Sequence, residues 1–310
     1  MNLGIIIFLF LNFSLLEAKS AVTYALSGGR LGDNLLAYCH AKWISYKYKI
    51  PLFYMPFEYS DQLMMHTKEI PLLGLSKNNF SLIMDICQSL YVSIDPNANI
   101  LYIIPYFPES IEEANSLRHE FYFPIDWHNQ EFKEGLKKMI CPSYFFEMPA
   151  IPSDSISVAL HVRIGTGFDV AGLKEFYNSL SLGSILKFPP LSYYKEQTQK
   201  IINFYPNQKI YIHLFTDHDN PEELIDIIAQ DINDARITFG YRKYCNKHNL
   251  NVLEDFFAIT KFDCLIRPDA NFSLVASKLG DYKIQISPMH GKKLNEEFII
   301  DQVFIEMKNA

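Results

Sequence analysis

This chain of 310 residues has no block of basic residues. Its 28 lysines and arginines are scattered, and 35 acidic residues outnumber them, for a net charge of −7. A protein that tracks a nucleic-acid backbone needs a concentrated basic face, so a nucleic-acid partner is not expected. A small anionic ligand stays open, because a few arginines neutralise it locally. Cysteine is scarce and odd in number, at positions 39, 87, 141, 245 and 264, with no C-x-x-C pair. That pattern argues against a zinc site or a dense disulfide framework. Cys39 and Cys264 lie in apolar stretches and read as buried small hydrophobes. No apolar run reaches the ~20 residues of an ordinary membrane span. Internal repeats, low-complexity tracts, a P-loop and the spaced G-x-G-x-x-G of dinucleotide folds are all missing.

What is present is a large core. Hydrophobic residues make up 49% of the chain and aromatics 15%, with 19 Tyr and 24 Phe, so most aromatics must be interior. Residues 3–16 are apolar apart from Asn12 and Ser14, and Ala18-Lys19-Ser20 follows as a small-x-small pattern. This reads as a signal peptide cleaved before Ala21, or as an uncleaved hydrophobic leader. The protein is therefore expected in a secretory lumen, or exported and membrane-associated through the leader only. It is cytoplasmic if the leader is a misassigned start.

Periodicity gives the organisation. A strand is expected over 22–26, a glycine turn over 27–34, a helix over 35–49 and a strand over 52–55, the βαβ signature of a parallel sheet. The stretch 56–149 is less regular, with a strand over 100–104 and a helix over 131–139. Pro142, Pro149 and Pro152 mark a boundary. Beyond it, strands are expected over 156–162, 209–216, 263–266 and 283–286. Helices are expected over 193–204, 221–228, 251–259 and 273–279. Asp219 or Asn220 is the expected cap at Pro221, and Gly280 suits the end of the last helix. The fold class is α/β, with a leader over 1–20 and two domains over 21–150 and 151–310.

Four stretches could carry chemistry. Arg163 follows the apolar run 156–162, where ligands bind in open α/β sheets, and its guanidinium fits two phosphate oxygens at once. His161 beside it reads as a core histidine or as part of that site. The turn Gly28-Gly29-Arg30-Leu31-Gly32-Asp33-Asn34 is a tight strand-to-helix connection or an approach to an anion. Arg267-Pro268-Asp269-Ala270-Asn271-Phe272-Ser273 opens a helix; Ser273 and nearby amides hold a phosphate, or Asn271 or Ser273 caps the helix. Asp217-His218-Asp219 has the Asp-x-Asp form that holds a divalent metal on a diphosphate, or Asp219 is a helix cap.

Together these stretches resemble the GDP-fucose fucosyltransferases of the α1,2, α1,6 and protein O-fucosyl type, across nearly the whole chain after the leader. The turn at 28–34 is similar to their Gly-Gly-x-Gly-Asn, here lengthened by Arg30 and Leu31. His161-Val162-Arg163 matches their His-x-Arg. Gly165-Thr166-Gly167-Phe168-Asp169 is similar to the loop of the nodulation fucosyltransferases. Phe188-Pro189-Pro190, Thr216-Asp217 and Asn271-Phe272-Ser273 fall in the expected order.

The resemblance implies a GT-B-like pair of Rossmann-type domains with a cleft between them. The first domain takes a glycan acceptor and the second a GDP-sugar, GDP-fucose or a close relative. It implies inverting, metal-independent transfer without a resident cofactor. Arg163 would stabilise charge on departing GDP. Gly29, Gly32, Asn34, His161, Asp217, Phe272 and Ser273 would line the donor, and Asp255 would read guanine. Asp169 and then Glu175 are the candidates for the base that takes the acceptor proton. Ile164 departs from the pattern, since many relatives have a second arginine there, and Ala270-Asn271 replaces a Ser or Thr before Phe-Ser. Two other readings stay open: a metal-dependent glycosyltransferase built on Asp217 and Asp219, and a non-catalytic nucleotide- or glycan-binding protein of the same fold.

Overall fold

Among the described residues, apolar runs separated by glycine and proline turns build a three-stranded and a two-stranded parallel sheet in one unit and a six-stranded, mostly parallel sheet in the other. The computed structural model describes residues 19–26, 28–72, 80–85, 93–104, 124–164, 181–230, 232, 234–295 and 297–308. Residues 1–18 of the expected leader, Cys87, the loop 165–169 and both base candidates, Asp169 and Glu175, lie outside the described residues. The described chain divides at Phe146 into a first and a second compact unit. Among the described residues no helix is long and apolar enough to cross a membrane.

In the first unit β1 (Ala21–Tyr24) lies parallel to β5 (Ile100–Ile104), which lies parallel to β4 (Leu82–Asp85). The other side of β1 meets Leu52 through a parallel bridge at Val22, leading into β2 (Phe53–Tyr54), which pairs with β3 (Ile70–Pro71). Between β1 and β2 runs α1 (Leu31–Tyr48). It starts four residues before the expected Leu35. The Asp33 carboxylate accepts the Arg30 backbone N–H at 3.0 Å, so capping begins inside the stretch that reads as a turn. A four-residue helix, α2 (Met65–Lys68), precedes β3. Helix α3 (Gln130–Met139) is capped by Asn129, whose Oδ1 accepts the Phe132 N–H at 3.0 Å. Phe132 then packs edge-on against Trp43 of α1 at 4.9 Å.

The second unit is a six-stranded sheet in the order β11-β10-β9-β6-β7-β8. Its strands are β6 (Ser155–Val162), β7 (Lys209–Thr216), β8 (Ile237–Tyr241), β9 (Cys264–Ile266), β10 (Ile284–Leu294) and β11 (Glu297–Met307). All pairs are parallel except the β10–β11 hairpin at one edge. Helices α4 (Leu191–Phe204), α5 (Pro221–Ala229), α6 (Val252–Ile259) and α7 (Asn271–Leu279) connect the parallel strands. From β6 the chain builds outward through β7 and β8, then returns to the other side of β6 for β9 and β10. The order therefore reverses between β6 and β9.

Helix ends account for several differences from the expected boundaries. Asn220 precedes Pro221 of α5 but makes no side-chain cap bond. Ala270, not Asn271 or Ser273, occupies the cap position of α7, and it has no side-chain cap bond to offer. Gly280 ends α7 with extended backbone, so left-handed geometry is not its reason. A Cβ there would run into the Tyr282 ring, whose hydroxyl donates to Ile259 O at 3.0 Å.

Candidate functional site at the carboxyl ends of the second sheet

Strand β6 is buried on both faces, as a central parallel strand must be. Val158, Leu160 and Val162 face one apolar core with Cys264 and Ile266 of β9. By alternation Ala159, His161 and Leu265 point to the opposite face, where α7 packs. The His161 ring lies 5.6 Å from Phe272 of α7, and Phe272 lies 5.5 Å from Phe256 of α6. His161 is buried, and its Nδ1 finds no hydrogen-bond partner among the described residues. Burial, helped by the nearby Arg163 and Arg267 charges, lowers its pKa to about 3. The imidazole is therefore neutral at physiological pH.

Arg163 emerges at the carboxyl end of β6. Its guanidinium carbon lies 5.2 Å from the centroid of the Phe188 ring, a cation–π contact with the Phe-Pro-Pro segment before α4. The peptide that follows is fixed from β7: the Ile164 N–H donates to Asp217 Oδ1 at 2.9 Å. Asp217 thus holds the chain just past Arg163. Among the described residues no group of three or more His, Cys, Asp or Glu side chains is arranged to hold a metal ion. Ile164 itself is buried in the apolar core.

Ser273 is fully buried in the first turn of α7, and its hydroxyl donates to Ala270 O at 3.3 Å. The start of this helix lies beside His161 through Phe272. Asp255 stands on α6. Its Oδ1 is 2.6 Å from an Arg242 nitrogen, and Arg242 follows the end of β8. Burial pushes the Asp255 carboxyl up to about 6, against the pull of that arginine. A guanine edge that used both carboxylate oxygens would have to share Oδ1 with Arg242.

The glycine turn belongs to the first unit. Gly28 has φ +74°. A Cβ on Gly29 would collide with the Asp33 carboxylate that caps α1. Asn34 Nδ2 donates to Gly29 O at 3.1 Å, while Asn34 Oδ1 is buried without a partner among the described residues. Gly32 and Asn34 are buried within the first turn of α1. The structure therefore brings together Arg163, His161, Asp217, Phe272 and Ser273, and places Gly29, Gly32 and Asn34 in the other unit.

Sequence reasoning assigned no role to Arg242 or to Arg267. Arg267 follows the end of an expected strand, as Arg163 does, whereas Arg242 follows β8, a strand not expected from the sequence. Arg267 was passed over in favour of Ser273 six residues on.

No protein-family model matches the chain, and no curated protein matches it. Among solved structures it is similar to a mutant of FUT1 from Arabidopsis thaliana in complex with GDP. That likeness has 14% identity, covers 87% of this chain and 70% of that one, and has a TM-score of 0.50. It is also similar to the fucosyltransferase NodZ from Bradyrhizobium, at 12% identity over 94% of this chain and 99% of that one, with a TM-score of 0.45. POFUT1 in complex with GDP-fucose is similar at 9% identity over 86% and 95%, with a TM-score of 0.43. At such identities the likeness is one of architecture: the chain has a fucosyltransferase-like α/β fold.

Proposed function

We propose that this protein is a glycosyltransferase that moves fucose, or a closely related sugar, from a GDP-sugar to a hydroxyl of a glycan acceptor. The observation that carries this reading is Arg163 at the carboxyl end of β6, beside the point where strand order reverses, the usual ligand position in such sheets. The FUT1 structure that shares the fold holds GDP.

In the proposed reaction the acceptor oxygen attacks the anomeric carbon from the face opposite the diphosphate. The bond from that carbon to the phosphate oxygen breaks and GDP departs with inversion. Arg163 stabilises the charge that grows on the leaving diphosphate. Asp217 positions Arg163 through the Ile164 amide. Asp169, with Glu175 as second candidate, takes the acceptor proton. The proposed form is metal-independent, with the Arg163 guanidinium offsetting part of the charge on the departing diphosphate.

Calorimetric titration of the chain with GDP, UDP, CMP and ADP tests the nucleotide class. Preference for GDP supports the reading, and preference for another nucleotide overturns it. Transfer from GDP-fucose that persists in EDTA supports the metal-independent form. Activity lost in EDTA and restored by Mn²⁺ favours the metal-dependent alternative.

A further inference from the structure

The sheet carries a second arginine at its switch point. Ile266 of β9 pairs with Leu160 of β6, so Arg267 leaves β9 alongside His161, one strand over from the exit of Arg163. Its backbone is clamped on both sides: its N–H donates to Ile286 O at 3.0 Å, and its carbonyl accepts the Tyr193 hydroxyl at 2.9 Å. The point from which the side chain starts is thereby fixed. Alternation from Ile266, which faces the apolar core, puts Arg267 on the face of His161 and α7.

The side chain is 8% exposed. One guanidinium nitrogen donates to Pro268 O at 3.1 Å. Among the described residues no carboxylate lies within ion-pair distance of it. Burial lowers its pKa, and the Asp269 carboxylate pulls the other way. Tyr193, Tyr282 and Glu306 also act on it electrostatically, and its charge in turn acts on His161. A guanidinium carries a fork of donors, and among the described residues this one spends a single bond on the chain, at Pro268 O. Breaking up a buried pair by removing its partner is strongly destabilising, because it leaves such an uncompensated charge. A bound anion would relieve that condition.

We propose that Arg267 is a second anion-binding residue of the nucleotide site, gripping the donor diphosphate from β9 while Arg163 grips it from β6. This rests on the reading of the site as one for a GDP-sugar. Ile164, next to Arg163, is buried in the apolar core and carries no charge, so a second charge at this end of the sheet comes from the neighbouring strand. The first-turn amides of α7 face the same end of the sheet and add dipolar attraction.

The test uses the full chain and two variants, Arg267→Met and Arg267→Lys, titrated calorimetrically with GDP and with guanosine. Removing a charge-assisted contact should weaken GDP binding by about tenfold or more. Guanosine, which has no phosphate, should bind both variants within about twofold of wild type. Arg267→Lys keeps a point charge without the fork and should fall between wild type and Arg267→Met. If Arg267→Met fails to fold, the lysine variant decides by the same ratio. A GDP-to-guanosine affinity ratio unchanged in the folded variant overturns the proposal and leaves the function reading standing. Failure of the wild-type chain to bind GDP overturns both.

Discussion

The glycine turn of the first unit and the strand ends of the second both lie where a parallel strand hands over to a helix, yet their chemistry differs. In the first unit the polar side chains of the turn bind the turn: Asp33 caps α1 and Asn34 holds Gly29. In the second unit the strand ends present Arg163, Arg267 and Arg242, the start of a helix and a buried histidine whose Nδ1 has no partner among the described residues. Glycine supplies backbone geometry in one place, and arginine supplies charge in the other. In a chain of net charge −7, the arginines at one sheet end are the feature that could attract an anion.

The largest expected effect that sharpens this contrast is on stability in acid. His161 is held neutral with a folded pKa of about 3, below the ordinary value of 6.5. As pH falls below 6.5 the unfolded chain takes up a proton that the folded chain refuses, so stability drops until pH approaches 3. Each unit of separation is worth about 1.4 kcal/mol, so the loss over this window is on the order of several kcal/mol. Thermal unfolding of wild type and His161→Gln between pH 7 and 4 should show a shallower acid slope in the variant. Buried His40 (about 3) and His213 (about 4) add slope of the same sign in both proteins.

Next in size is Asp217→Ala. It strips the Ile164 amide of its acceptor and should cost about 1–3 kcal/mol in denaturant unfolding. It should also weaken GDP binding several-fold, because Arg163 loses its anchor; unchanged GDP affinity would show that the anchor does not position Arg163. Gly29→Ala pushes the Asp33 carboxylate off the start of α1 and should cost about 1–3 kcal/mol, read by the same unfolding measurement. Asp33→Ala removes only the cap and should cost about 1 kcal/mol. If Gly29→Ala proved no worse than Asp33→Ala, the steric reason for the glycine would be wrong.

Much of this architecture was readable from residue pattern. The strand over 209–216 was expected with the bounds it has, because its apolar and polar residues alternate cleanly between a proline-containing turn and an acidic one. Burial of Cys39 and Cys264 followed from their apolar neighbours. The start of α1 was misplaced because glycine and asparagine suggest a turn, whereas Asp33 reaching back to Arg30 makes those residues the first helical turn. The β10–β11 hairpin was foreshortened to one short strand. Its outer parts are exposed and mix Lys, Glu and Asp with Ile and Phe, so burial left no clean period there. Strand β8 escaped because Gly240 interrupts it. That glycine is required because a Cβ would meet the Tyr211 hydroxyl. At the site, Arg163 was readable from the buried run before it, while Arg267 needed the sheet order, which shows β9 beside β6.

The central claim is that nucleotide recognition resides at the arginine-bearing strand ends of the second unit. Side-by-side GDP titrations of wild type, Arg163→Ala and Gly29→Ala test it most directly. The account predicts a loss of about 10- to 100-fold for Arg163→Ala, with Gly29→Ala within about twofold of wild type. Equal GDP affinity in wild type and Arg163→Ala, or a larger loss from the glycine substitution, would contradict it.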